Sequence, residues 1–107
     1  MGLDIWQICP CCKESHDDGR NYTYNVSKMW YEAMPGSKQF VDIDGMTGDD
    51  SIPVLQTAIT RLKADPDKYQ AMNPENGYGT YTGFVEFLEE LKKMAVENPN
   101  RIWQSWR

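Results

Sequence analysis

Three helix-ending pairs of residues divide the chain, and they limit its fold more than any other feature of the sequence. The pairs are Pro35-Gly36, Asp65-Pro66 and Asn98-Pro99. Proline lacks the backbone N–H that a helix interior needs, and glycine readily adopts the conformations that end a helix. Apolar residues recur at helical spacing before each pair. The sequence therefore predicts three helices, each ending at one of these pairs.

The predicted helices span residues 22–34, 51–64 and 82–97. Asn25 or Ser27 is expected to cap the first helix, and Ser51 or Asp50 the second. A possible short helical turn is expected at 66–72. Spacing of three and four residues places one set of apolar side chains on the inner face of each helix. This predicted core consists of Val26, Met29, Trp30, Ala33, Met34, Leu55, Ala58, Ile59, Leu62, Phe84, Phe87, Leu88, Leu91 and Ala95.

The two ends of the chain have the alternating pattern of β-strands. Residues 2–9 read GLDIWQIC, and residues 101–107 read RIWQSWR. We expect these strands to pair antiparallel. The predicted fold class is α+β, with three helices packed on a small antiparallel sheet formed by the N- and C-terminal strands. The 107 residues form one domain, divided into a strand with a Cys/His knuckle (1–21), a helical part (22–98) and a C-terminal strand (99–107).

The charge of the chain limits its partners. Eleven basic and sixteen acidic residues give a formal net charge of -5. A nucleic-acid-binding protein is expected to carry a basic patch, so this balance argues against direct nucleic-acid binding and favours a basic protein partner. No apolar run approaches the roughly 18 residues of a membrane span, and the N-terminus lacks a signal-peptide pattern. We therefore predict a cytoplasmic protein without a membrane partner.

A cluster of cysteines and the single histidine follows the first strand. In ICPCCKESHDD, residues 8–18, Cys9 and Cys12 have the two-residue spacing that lets both thiolates bind one tetrahedral ion. His16 follows Cys12 by four residues, within the spacing range of zinc-finger ligands. Cys11 is a less suitable fourth ligand, because adjacent cysteines tend to point apart, and an aspartate or water is an alternative. We predict a structural zinc site, because a thin core gains stability from a bound metal.

Two other interpretations of the cysteines stay open. CPCCK after an apolar strand also resembles a glutaredoxin-type dithiol, which would make the protein a small thiol redox or metal-dependent enzyme. Against this, the residues after the motif form a poor helix, and the thiol of such a site needs a helix N-terminus. The other interpretation is three neighbouring thiols without a shared role.

Acidic residues are concentrated in the loop before the second predicted helix. The segment DIDGMTGDD, residues 42–50, resembles a calcium loop only faintly, because it lacks the glutamate at the twelfth position of an EF-hand. Solvation of the loop and a favourable interaction with the helix N-terminus are the simpler explanation. The Asn- and Gly-rich loop at 73–81 is either a binding loop or a structured connection. The candidate partner-binding acids are Asp17, Asp18, Asp42, Asp44, Asp49 and Asp50.

Several stretches resemble a family of small uncharacterised proteins of phages and their bacterial hosts. They are NYTYNVSKMWYEA, DIDGMTG, AMNPENGYGTYTGFVEFLEEL and ENP before the last strand. Tyr78 stands where this family more often has tryptophan. The resemblance implies a phage or mobile-element context and supplies no catalytic residues.

Together these features favour a non-enzymatic function. The primary hypothesis is a phage-type inhibitor that binds a host defence nuclease, as an anti-CRISPR protein does, and blocks its nucleic-acid binding. The alternatives are the thiol enzyme described above and a phage accessory protein with an unrelated protein partner.

Overall fold

The computed structural model of the protein describes residues 2–9, 20–23, 26–37, 40–73 and 79–106. Within these ranges lie three strands and four helices. In chain order they are β1 (Gly2–Ile8), β2 (Arg20–Thr23), α1 (Ser27–Ala33), α2 (Gly48–Ala64), α3 (Pro66–Gln70), α4 (Tyr81–Glu97) and β3 (Ile102–Trp106). The predicted α+β class is confirmed.

The sheet has the strand order β2-β1-β3, and both pairings are antiparallel. The predicted pairing of the two terminal strands is confirmed, with Ile8 opposite Ile102 and Asp4 opposite Trp106. Because side chains alternate along a strand, the odd-numbered residues of β1 share one face. On that face Leu3 and Ile5 are buried in the core.

The third strand corrects the prediction that the first helix begins at residue 22. Residues 20–23 form β2, and α1 begins only at Ser27. The register places Tyr22 opposite Leu3, so its ring lies over α4 and stacks on Phe87 with centroids 5.3 Å apart. This aromatic contact and the pairing with β1 outweigh the helical spacing of the sequence.

The predicted helical core is confirmed almost throughout. Every residue of the predicted set is buried except Met34, which is half-buried. α2 and α4 form the principal helix pair. They approach closely near the first residue of α2, Gly48, where an added β-carbon would lie 2.6 Å from the Asn98 carbonyl oxygen. Their ends at Ala64 and Glu97 agree with the prediction.

The predicted N-caps of α2, Ser51 and Asp50, are wrong. The cap is Thr47, whose side-chain oxygen accepts a hydrogen bond from the Asp50 backbone N–H at 3.1 Å. Ser51 is instead buried within the helix. Its hydroxyl donates to the Gly48 carbonyl oxygen at 2.7 Å and accepts from the Trp103 indole N–H at 2.8 Å. The serine therefore joins α2 to β3.

α3 is a fourth, short helix where only a possible helical turn was expected. Its Tyr69 is buried and stacks on Tyr81 of α4, with ring centroids 6.4 Å apart. The Tyr81 hydroxyl donates to the Leu62 carbonyl oxygen at 2.7 Å. Burial raises the pKa of Tyr81 above its ordinary value, with a smaller opposing effect from Lys63.

None of the helices in the described ranges combines the length and apolarity that crossing a bilayer requires. The predicted zinc knuckle falls on residues 9–16, of which only Cys9 belongs to the described part of the chain.

Candidate partner-binding surface

The residues 42–50, here called the acidic segment, run beside the outer edge of β3. Backbone hydrogen bonds hold this segment in place. The Gly45 N–H donates to the Trp103 carbonyl oxygen at 2.9 Å, and the Trp103 N–H donates to the Met46 carbonyl oxygen at 2.9 Å. Further along, the Gly48 N–H donates to the Arg101 carbonyl oxygen at 2.7 Å. The acids of this segment are therefore carried on a fixed backbone.

Three of its four aspartates are exposed. Asp44, Asp49 and Asp50 lie at the surface, and Asp42 is half-buried. Asp44 accepts a hydrogen bond from the Ser105 hydroxyl at 3.0 Å. Within the described ranges none of the three exposed acids is in a salt bridge. Their charges are consequently not neutralised by neighbouring basic groups there.

The fold explains two of the four acids in the acidic segment and does not explain the other two. Asp49 and Asp50 lie in the first turn of α2, where a negative charge interacts favourably with the helix dipole. That interaction explains these two residues without a partner. Asp42 and Asp44 precede the helix, and the dipole does not account for them.

A strained backbone turn precedes and positions Asp42. Val41 has a φ of +53°, which is unfavourable for a β-branched residue. The Ile43 N–H donates to the Val41 carbonyl oxygen at 2.8 Å, closing a tight turn around Asp42. Val41 and Ile43 are both buried, and Asp42 between them remains half-exposed. The turn therefore keeps two apolar side chains in the core on either side of a half-buried aspartate.

A small pocket of about 180 Å³ lies beside Asp42. Its walls are mostly apolar and come from α1, from the turn after it, from the acidic segment and from α2. Asp42 is the one charged residue among the described residues that line it. The lining residues are Trp30, Met34, Pro35, Ser37, Asp42, Met46 and Val54. The Trp30 indole N–H donates to the Ser37 hydroxyl at 2.9 Å, which fixes one wall.

A larger groove of about 600 Å³ lies between α2 and α4. Ile59 and the exposed Val96 contribute apolar surface to it. Its polar groups largely bind one another. Lys63 forms a 2.8 Å salt bridge with Glu89, and the Lys92 ammonium donates to the Gln56 side-chain oxygen. Several polar groups of the groove are therefore already bound to one another, whereas Asp44, Asp49 and Asp50 are in no salt bridge within the described ranges.

The structure describes only some of the residues of the predicted zinc site and of the predicted partner-binding acids. Cys9 follows β1 and is half-buried, whereas Cys12, His16, Asp17 and Asp18 lie outside the described residues. Within the described ranges no three acidic, cysteine or histidine side chains are close enough to hold a metal ion. Because Cys12 lies outside the described residues, both the zinc site and the dithiol of Cys9 and Cys12 stay predictions.

The loop at 73–81 has a structural role at its two described ends. The Asn73 side-chain oxygen accepts a hydrogen bond from the Tyr81 backbone N–H at 2.8 Å, at the start of α4. Gly79 has a φ of +89°, a conformation that glycine adopts readily. Residues 74–78 lie outside the described ranges.

Sequence reasoning found the four aspartates of the acidic segment but missed the pocket. Its apolar residues have the spacing of core residues, and nothing in that spacing distinguishes a filled core from an open one. The run of three residues Val41-Asp42-Ile43 has the alternation of a strand, so it did not predict the tight turn beside the pocket.

Comparison of the chain with protein-family models, with curated proteins and with solved structures finds no match.

Proposed function

We propose that this protein is a non-enzymatic inhibitor that binds a basic, nucleic-acid-binding surface of a host defence nuclease. The acidic segment is the contact surface in this proposal. One observation carries it: Asp44, Asp49 and Asp50 are exposed on a hydrogen-bonded backbone and are in no salt bridge within the described ranges. Carboxylates on a backbone that is already held in place lose less conformational freedom than those of a mobile loop when they meet arginine or lysine side chains.

The overall charge supports the same conclusion. With a formal net charge of -5, the chain attracts basic surfaces at long range and accelerates association with them. A surface that binds nucleic acid is basic, so a protein that occupies it competes directly with the nucleic acid. The resemblance of the sequence to proteins of phages and their hosts favours a defence nuclease of the anti-CRISPR target class.

Structural zinc is a further part of this proposal. Cys9, Cys12 and His16 are the proposed ligands, on the strength of their spacing in the sequence. Zinc would stabilise the chain segment between β1 and β2 and would take no part in inhibition.

Affinity capture from a bacterial lysate that contains CRISPR effector nucleases tests the inhibitory function. Wild-type protein is compared with a triple variant, Asp44→Asn, Asp49→Asn and Asp50→Asn. Mass spectrometry is expected to identify a nuclease bound at about 0.1 M salt and released at about 1 M, where screening is strong. The triple variant should capture at least about tenfold less, because the change removes charges that meet the partner.

A matched control carries Asp65→Asn, Asp67→Asn and Glu86→Gln. These three residues are exposed and lie outside the acidic segment, and the control raises the net charge by the same three units. Equal loss in both variants would mean that only net charge matters, which contradicts a defined contact surface. Capture of a protein that is not a nuclease would support the accessory-protein alternative instead.

A further inference from the structure

We propose that the outer face of α4 packs antiparallel against the same face of a second copy of the chain, so that two copies form a two-fold symmetric dimer. The residues of this face, here called the α4 seam, recur at spacings of three and four residues, and all of them are exposed. They are Thr82, Glu86, Glu89, Glu90, Lys93, Val96 and Glu97. None of them belongs to the acidic segment, so this inference does not depend on the proposed function.

Two opposite charges of the seam have no partner in their own chain. Glu86 and Lys93 are in no salt bridge within the described ranges. They are seven residues apart on one side of the helix, which separates them by about 10 Å along its axis, too far for an ion pair. A two-fold axis midway between them places Glu86 of each copy beside Lys93 of the other copy. The seam is therefore complementary in charge to itself.

The glutamates at the centre of the seam are already neutralised within their own chain. Glu89 forms a 2.8 Å salt bridge with Lys63, and Glu90 forms a 2.5 Å salt bridge with Arg20. The two-fold axis brings each of these glutamates close to its copy, and bare carboxylates would repel each other there. With Lys63 and Arg20 beside them, the carboxylates of the two copies share cations in a network, which is more favourable than an isolated surface pair.

Val96 supplies the apolar contact of the seam. It is 57% exposed and is the one exposed large apolar side chain among the described residues. In the antiparallel pairing it lies opposite the first turn of the other copy's α4, where Thr82 and Gly83 are small and allow a close approach. Glu97 lies opposite the same turn, and a negative charge is favourable at a helix N-terminus. Both ends of the seam therefore find complementary surface on the second copy.

The charge pattern favours a second copy over a different partner. A uniformly basic partner would attract Glu86 and repel Lys93, and a uniformly acidic partner would do the reverse. A second copy in the antiparallel orientation satisfies both residues at once. One helix from each copy makes a small interface, partly held by charge, so we expect a reversible dimer that low salt favours.

Sedimentation equilibrium of the full chain tests the inference. At roughly 0.05 M salt, wild-type protein is expected to approach twice the chain mass as its concentration rises, and to return towards the monomer mass at about 1 M salt. Glu86→Lys and Lys93→Glu each place like charges opposite one another. Each should weaken association at least about tenfold, a difference of about 1.4 kcal/mol.

An equimolar mixture of the two single variants is the decisive sample. Each variant alone has two like charges facing each other, whereas in the mixture one variant supplies both positive charges and the other both negative charges. The mixture should therefore associate about as strongly as wild type. A general effect of net charge, or of damage to the helix, would not be reversed by mixing.

Asp67→Lys is the matched control, because it reverses an exposed acid on α3, away from the seam. It should associate like wild type. Circular dichroism verifies that every variant has the helix content of wild type. Monomeric wild-type protein at every concentration, single variants that associate like wild type, or a mixture that stays monomeric would each overturn the inference.

The dimer and the proposed function fail separately. Nuclease capture depends on the acidic segment of each copy, so a monomeric Lys93→Glu variant should still capture the nuclease if the proposed function holds. A chain that dimerises through the seam but captures no nuclease supports the dimer and rejects the proposed function.

Discussion

At the scale of single residues, Gln7 is the least satisfied side chain in the described part of the chain. It is fully buried on β1 opposite Trp103. Its amide nitrogen donates to the Asn98 carbonyl oxygen at 3.3 Å, and its side-chain oxygen has no hydrogen-bond partner. Burying an unpaired acceptor costs roughly 1–3 kcal/mol, so this residue lowers the stability of the core.

Replacing Gln7 with methionine is expected to stabilise the protein. Methionine has a similar length and buries no strong acceptor, and the Asn98 carbonyl oxygen keeps the hydrogen bond that it accepts from the Arg101 N–H. We expect the free energy of unfolding to rise by about 1 kcal/mol in urea titrations. Gln7→Glu serves as the opposite control and should destabilise strongly at neutral pH, because it buries a charge. A loss of stability in Gln7→Met would show that the amide makes a needed contact.

Single residues also show how much of the candidate partner-binding surface could be predicted from the sequence. Composition and spacing located Asp42, Asp44, Asp49 and Asp50, because charged residues clustered in a loop are visible without a structure. The neighbours that turn Asp42 into part of a pocket could not be predicted. Trp30 and Val54 are 24 positions apart in the sequence, and only the packing of α1 on α2 brings them together.

At the scale of elements, helices were predictable, and β2, an edge strand of the sheet, was not. The ends of α2 and α4 follow from the helix-ending pairs and a regular apolar stripe, which are local signals, whereas α2 begins three residues before its predicted start. β2 has only four residues and depends on β1 for its pairing and on Phe87 for packing. In the sequence, the residues of β2 continue into the helical spacing of apolar residues that predicts α1. A strand stabilised by distant contacts leaves little trace in its own sequence.

The close approach of α2 to the end of α4 gives a prediction for Gly48→Ala. The added β-carbon would lie 2.6 Å from the Asn98 carbonyl oxygen and 3.0 Å from that of Ala95, and backbone atoms cannot move aside cheaply. We expect a loss of about 1–3 kcal/mol in urea unfolding, despite the higher helix propensity of alanine.

Gly83→Ala is the comparison for this prediction. Its β-carbon would clash with the Tyr22 hydroxyl, which is the end of a side chain rather than backbone. The cost should therefore be smaller than at Gly48. A Gly48→Ala variant more stable than Gly83→Ala would contradict this prediction. It would mean that α2 and the end of α4 move apart at little cost.

At the scale of the whole molecule, the proposed zinc site predicts a dependence of folding on metal. Protein purified without a histidine tag should contain about one zinc per chain by elemental analysis. Chelation, or Cys12→Ser, should lower Tm by more than about 10 °C. The reason is that zinc binds only the folded chain, so its free energy of binding adds to the free energy of unfolding. Cys11→Ser, which keeps the three proposed ligands, should change Tm little. Metal-free protein with an unaltered Tm would reject the zinc site.

The central position of β1 has a consequence for how the chain reaches this fold. Its pairing with β3 joins Ile8 to Ile102, which are 94 positions apart. Closing a chain loop of that length costs roughly 4 kcal/mol of entropy by logarithmic scaling, before any contact compensates for it. Contacts so distant in sequence slow folding. On a ribosome, Ile8 emerges 94 residues before Ile102, so the edge of β1 that pairs with β3 stays open while those residues are synthesised.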